Sequence, residues 1–136
     1  MSQENLDAVR GAYEALNQGN AEAVLGAIHE EMEFREPESL PYGGTYRGPQ
    51  GMGELFEALA SNWDDLHLEI EQLLDAGDCA VVLGRLQGRS KATGEDVDEP
   101  YVEVLRFRDG KAIEGRIQMD TARVLRALGV EATAAA

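Results

Sequence analysis

The chain has 136 residues, with 43% hydrophobic and 28% charged side chains, a globular composition with enough apolar residues for a real core. Its 26 acidic and 12 basic residues leave a net charge of -14, which would be repelled by phosphate backbones and anionic membrane surfaces. One cysteine and two histidines exclude an internal disulfide framework, a cysteine-based zinc cluster and a three-histidine metal site.

The acidity is uneven. Residues 1–68 carry 13 acids and 3 bases, and residues 69–136 carry 13 acids and 9 bases. Ten of the bases are arginine and two are lysine. Such a surface suits a high-salt cytoplasm, where screening suppresses self-repulsion, and equally suits an Ala- and Arg-rich genome. The N-terminus has no basic region followed by an apolar run, and the longest apolar stretch, Cys79 to Leu83, is too short to cross a bilayer. A cytoplasmic protein is the expectation.

Taken in chain order, residues 3–17 predict a helix, because Leu6, Val9, Tyr13 and Leu16 recur at helical spacing. Gly19 suits a left-handed cap. Asn20 then caps a second helix running to about Ile28. Residues 32–36 alternate as a short strand, with Met32, Phe34 and Glu36 on one face. Residues 37–49 are rich in turn formers and read as a loop. Pro49 opens a third helix to about Asn62, with Met52, Leu55, Phe56 and Leu59 as its apolar stripe.

From His67 onward the period changes to two. Strands are predicted over residues 67–74, 79–90, 99–108 and 111–119, with Asp109-Gly110 a strong hairpin signal. A short helix follows Asp120, ending at Gly129. Helices first and a meander afterwards give an α+β fold: a curved antiparallel or mixed sheet wrapped around three N-terminal helices, with a short C-terminal helix. One domain over residues 1–130 and a flexible tail over 131–136 are expected.

The phrases Tyr13-Glu14-Ala15-Leu16-Asn17-Gln18-Gly19-Asn20, Phe34-Arg35-Glu36-Pro37, Tyr46-Arg47-Gly48-Pro49, Phe107-Arg108-Asp109-Gly110-Lys111 and Asp120-Thr121-Ala122 carry a likeness. With the element order, they resemble the nuclear transport factor 2-like superfamily, and within it the SnoaL-like polyketide cyclases and their ketosteroid isomerase relatives. The resemblance implies a cone-shaped α+β barrel with a pocket between the helices and the concave sheet. It also implies a homodimer packed through the outer sheet face. It implies proton movement on a small hydrophobic cyclic or polyketide-like substrate, without a metal or organic cofactor. A non-catalytic small-molecule binding protein would use the same cavity.

Four residues are candidates for chemistry. Asp120 resembles the acid/base aspartate of the cyclases, and its alternative is an N-cap of the last helix. Glu36 falls where the isomerase relatives hold a general base, and its alternative is a solvated glutamate at a loop edge. Glu103 matches the protonated carboxyl of their oxyanion hole. Its alternative is an ion pair with Arg116 on the adjacent strand. Arg116 itself is expected to assist Asp120, because alternation places Glu114, Arg116, Gln118 and Asp120 on one face, taken as the pocket face. The phenol of the isomerase relatives would fall at Ala12, which has no donor.

Aromatic and polar candidates for the pocket wall are Tyr13, Phe34, Tyr42, Tyr46, Phe56, Trp63, Tyr101 and Gln118, with Trp63 placed to lid the mouth. Each aromatic could instead be core filling. Cys79 is expected to be buried and inert.

Overall fold

The structure, a computed structural model, describes residues 1–130; the tail from Glu131 lies outside them. Helix α1 (Gln3–Asn17) starts where Ser2 Oγ accepts from the Asn5 amide at 3.1 Å, satisfying one of the unpaired donors of the first turn. Helix α2 (Ala21–Gly26) starts on Asn20, whose side chain accepts from the Ala23 amide. Helix α3 (Gly48–Asn62) has Pro49 in its first turn, where a missing N–H costs nothing.

Six strands follow or interleave: β1 (Ile28–Glu36), β2 (Gly44–Arg47), β3 (Trp63–Asp75), β4 (Ala80–Ser90), β5 (Asp96–Arg108) and β6 (Lys111–Met119). They form one sheet in the order β2-β1-β6-β5-β4-β3. The β1–β6 pair is parallel and the others are antiparallel, so the sheet is mixed. It curves without closing, and α1 and α3 pack within its concave side. Helix α4 (Thr121–Ala127) lies against β5.

Two boundaries differ from the sequence reading, each for a physical reason. The second helix ends at Gly26 and Ile28 already belongs to β1. Between Ile28 and Glu33 the β1–β6 register slips, because residues 29–32 on β1 stand against Ile113 alone on β6. The alternation is therefore legible only from Met32. The loop predicted over residues 37–49 contains β2, which pairs Gly44 with Glu36 and Arg47 with Glu33. Four residues with one apolar side chain carry no periodicity to detect.

The long strands owe their curvature to such irregularities. Asp65 has φ of 53° at a register slip between β3 and β4. The β5–β6 hairpin turns on Asp109 and Gly110, both at positive φ, as a two-residue turn requires. The concave face carries the core, with Met32, Leu55, Val82 and Val124 at 2% exposure or less.

Candidate functional site

The inward face of β5 holds Val97, Glu99, Tyr101, Glu103 and Leu105, by strict alternation. Two of these meet α1. Val9 and Tyr13 lie one helical turn apart on the buried side of α1, so the Tyr13 phenol reaches across the core. Tyr13 Oη donates to Glu103 Oε1 at 2.7 Å, and Tyr101 Oη donates to Tyr13 Oη at 2.8 Å. Three groups that are far apart in sequence thus form one buried hydrogen-bonded chain.

Mid-strand glycines make room for the aromatic rings. Gly84 on β4 is the register partner of Tyr101, and a Cβ there would sit 2.6 Å from the Tyr101 ring. Gly115 on β6 is the partner of Phe34, and its Cβ would sit 2.6 Å from that ring. Each ring lies over the glycine beside it, as aromatic side chains do in sheets.

Between α1, α2, α3 and the concave sheet is a cavity of about 110 Å³. Its walls include Tyr13, Phe34, Leu55, Phe56 and Ile117, and its ionisable lining groups are Tyr13, Glu36 and Glu103. Among the described residues no lysine, arginine or histidine lines it. Glu36 ends β1 just before Pro37 and is 8% exposed, as is Glu103. Burial pushes the Glu36 carboxyl up to about 8, with the nearby Glu103 charge adding to the effect. Burial raises Glu103 to about 7, opposed by the Tyr13 hydrogen bond that favours its anion. The Tyr13 phenol is raised well above its usual range, by burial first and then by the Glu103 charge.

The remaining aromatic candidates sort into two groups. Tyr13, Phe34 and Phe56 line the cavity, while Tyr101 stands behind Tyr13. Tyr42 and Tyr46 flank Glu36: its charge raises both phenols, after burial as the larger cause. Trp63 Nε1 donates to Tyr42 Oη at 3.2 Å, and Tyr46 Oη donates to the Tyr42 carbonyl at 2.7 Å. Trp63 is only 3% exposed and is a wall beneath Tyr42, not a lid at the mouth. It lines a neighbouring groove with Leu16, Phe56 and Leu66. Cys79 is buried, as expected.

Strand β6 reverses the expected facing. Gly115 and Ile117 point inward, and Glu114, Arg116 and Gln118 point outward. Polarity alone suggested the opposite for a polar pocket, but the concave side demands apolar or absent side chains where Phe34 and Leu105 pack. Arg116 is the register partner of Val104, not of Glu103, so the Glu103–Arg116 ion pair does not form. Arg116 and Gln118 border a separate outer cleft of about 470 Å³ with Arg35, Ser39 and Thr45. Glu36 borders both that cleft and the inner cavity. Asp120 is exposed and accepts from the Ala122 amide at 3.0 Å, so it caps α4 outside the cavity. Ala12 lines the cavity without a donor of its own, and the phenol of its neighbour Tyr13 is engaged with Glu103.

The connection of Tyr13 to Tyr101 and Glu103 was missed in the sequence, though two signals pointed to it. The spacing Tyr101-x-Glu103 puts a phenol and a carboxyl on one strand face, and Gly84 marks a strand position that a ring overlies. Among the described residues no group of three or more His, Cys, Asp or Glu is arranged to hold a metal ion. No helix among them is long and apolar enough to cross a membrane.

The SnoaL-like domain family matches residues 9–115. The chain belongs to that family. None of the curated proteins matches it. Among solved structures, it is similar to an NTF2-like protein of unknown function from Burkholderia pseudomallei, with 27% identity over 94% of this chain and 98% of that one and a TM-score of 0.87. A SnoaL-like polyketide cyclase assigned as such in Jannaschia sp. shares the fold at 19% identity, covering 97% of this chain and 98% of that one with a TM-score of 0.82. TerC co-crystallized with polyporic acid shares it at 23% identity, over 93% and 99% of the two chains, with a TM-score of 0.86.

Proposed function

We propose that the SnoaL-like cavity carries out cofactor-free acid–base proton transfer on a small, neutral, largely apolar carbonyl compound, as an isomerase, cyclase or lyase. The observation that carries this reading is the pair Glu36 and Glu103, two carboxyls lining one largely apolar cavity to which no described lysine, arginine or histidine contributes. Their midpoints of about 8 and about 7 put both within reach of a proton exchange at neutral pH. Like charges in so apolar a space do not both ionise freely, so one member holds a proton while the other holds the charge. A group that takes a proton alpha to a carbonyl and a group that gives one to the oxygen are then both present. The phenols of Tyr13 and Tyr101 stiffen the Glu103 side of the site.

Volume limits the substrate. A cavity of about 110 Å³ is below the usual range of drug-sized pockets. It is comparable with the ~150 Å³ engineered cavity that accepts one benzene ring. A monocycle or the reactive end of a longer polyketide-like chain fits that limit, and a fused multi-ring body does not.

The test is hydrogen–deuterium exchange at the alpha carbon of a panel of cyclic ketones, for the wild type, Glu36→Gln and Glu103→Gln. Each substitution is expected to slow exchange by about 10²–10⁴-fold, the usual range for one acid–base group. Binding of the ketones without exchange in the wild type would replace this reading by the carrier reading, which the largely apolar lining supports. A homodimer through the outer sheet face belongs to the same proposal. Light scattering should then give twice the chain mass of 14.8 kDa, and a single monomeric species at micromolar concentration would remove it.

A further inference from the structure

Beside the inner cavity runs an apolar groove of about 270 Å³, between the end of α1, the start of α2, the end of α3 and β3. Its walls come from local features of the chain. Phe56, Leu59 and Ala60 share one side of α3 by helical spacing, and Trp63 follows at the first residue of β3. A bulge then adds a second side chain from β3. Residues 65 and 66 stand against Gly88 alone, so Trp63 and Leu66 both turn to the groove. A Cβ on Gly88 would come within 3.4 Å of each of them. At the last residue of α1, Asn17 ties the helix to β3, an edge strand of the sheet. Its Nδ2 donates to the Leu68 carbonyl and its Oδ1 accepts from the Leu68 amide, both at 2.9 Å.

The inner wall of the groove is also a wall of the cavity. Leu16, Phe56, Leu59 and Leu68 line both, so one layer of side chains separates the two spaces. Leu16, Phe56 and Leu68 are only half-buried. Leu16 stands three residues beyond Tyr13 on α1, about 4.5 Å along the axis, so the groove begins one helical turn from the Tyr13–Glu103 hydrogen bond. Cavity and groove each fall below the roughly 300–1,000 Å³ of ordinary ligand sites, and joined they enter that range.

The chemistry of the lining selects the occupant. Among the described residues, the groove side chains with polar atoms are Asn17 and Trp63. Asn17 is engaged with Leu68, and Trp63 Nε1 donates to Tyr42 Oη. Recognition in the groove is therefore by apolar contact. A space of this volume is too small to seat a helix, which is about 10–12 Å across, and it suits a slim hydrocarbon chain.

We propose that the groove is the tail compartment of the cavity, and that the ligand is a two-part molecule. A compact carbonyl head occupies the cavity, and an unbranched apolar tail passes between Leu16 and Phe56 to lie along Trp63 and Leu66. The head rests on the carbonyl reading above, and the tail adds the substrate class: a cyclic ketone or similar head carrying an aliphatic chain.

The experiment titrates alpha-alkylcyclohexanones, from methyl to octyl, into the full chain by NMR. Affinity should rise about fourfold per methylene, as for a fully buried CH₂ group, and level off once the groove is filled. The terminal methyl of the octyl ketone should show nuclear Overhauser contacts to the indole of Trp63, the single tryptophan of the chain. Ala60→Phe fills the groove from its exposed rim and should erase the dependence on tail length. Should that variant misfold, the contacts to Trp63 in the wild type decide. Affinity independent of tail length would overturn the proposal even if short ketones exchange normally, so the proton-transfer reading would survive it. Tailed ketones that reach Trp63 without exchanging would uphold the groove and remove proton transfer. A gain with length that persists in Ala60→Phe and shows no contact to Trp63 would place the tail elsewhere and overturn the proposal. So would failure of the whole series to bind. Trp63 signals that move with protein concentration in the ketone-free chain would assign the groove to a second copy instead.

Discussion

Glu99 and Glu103 lie on the same inward face of β5, one at 1% and the other at 8% exposure, and the protein treats them in opposite ways. Glu99 lies at the α4 end, where Arg123 places Nε 3.3 Å from its Oε2. That contact is an ion pair without hydrogen-bond geometry, and Oε2 has no other partner. Among the described residues Glu103 meets no cation, and its partner is the Tyr13 phenol with Tyr101 behind it. A buried carboxylate beside a guanidinium ties α4 to β5, and its use is structural. A buried carboxyl held by phenols, with a second carboxyl near it, is free to change its protonation at neutral pH. The residue type is the same at both ends of the face, and the partner decides what it can do.

The largest effect that separates the two is on the pH dependence of stability. Glu36 and Glu103 have folded midpoints raised above the unfolded value of 4.5. Their contribution is therefore full below about pH 4.5 and is lost as pH rises through about 7 and 8. Chemical denaturation from pH 5 to 9 should show a loss on the order of a few kcal/mol from this source. The double variant Glu36→Gln, Glu103→Gln should flatten that slope; an unchanged slope would mean the pair ionises as freely folded as unfolded.

Next is Arg123→Ala, which leaves Glu99 buried and unpaired. Arg123 is itself mostly exposed, so the expected loss is about 1–3 kcal/mol, below the full cost of breaking a buried pair. Thermal melts measure it, and ketone exchange should be unaffected. A loss of exchange with intact stability would assign the α4 end to the site.

Gly84→Ala attacks the other end. Its Cβ would overlap the Tyr101 ring and the Glu69 carbonyl, so overpacking should cost about 1–3 kcal/mol and displace Tyr101 from Tyr13. A shift in the Glu103 midpoint, read by titration, distinguishes displacement of the phenol from simple loss of stability.

The smallest effect is expected at Asp120. Asp120→Asn keeps the cap and should change stability by a few tenths of a kcal/mol, and Asp120→Ala by about 1 kcal/mol. Neither should alter exchange. A large loss of exchange in Asp120→Asn would restore the acid/base role that resemblance to the cyclases implies.

Much of the molecule was legible from local rules. Helical spacing in α1 and α3, the capping residues Ser2, Asn20 and Asp120, and the Asp109-Gly110 turn are each set by interactions within a few residues. The same holds for the alternation that turns Tyr101 and Glu103 to one face of β5. These, with the family phrases, determined the α+β order and named Tyr13, Glu36 and Glu103 as candidates. What the sequence could not decide was which face of β6 is inside. Its alternation reads equally well either way, and only the packing of Phe34 over Gly115 settles it. That choice moved Arg116 and Gln118 to the outer cleft and left Asp120 as a cap. Nor could the sequence join Tyr13 to Glu103, because 90 residues separate them and a hydrogen bond of 2.7 Å exists only where a helix crosses a curved sheet. The chemistry of the cavity depends on distances between strands and helices, and those are properties of the packed chain alone.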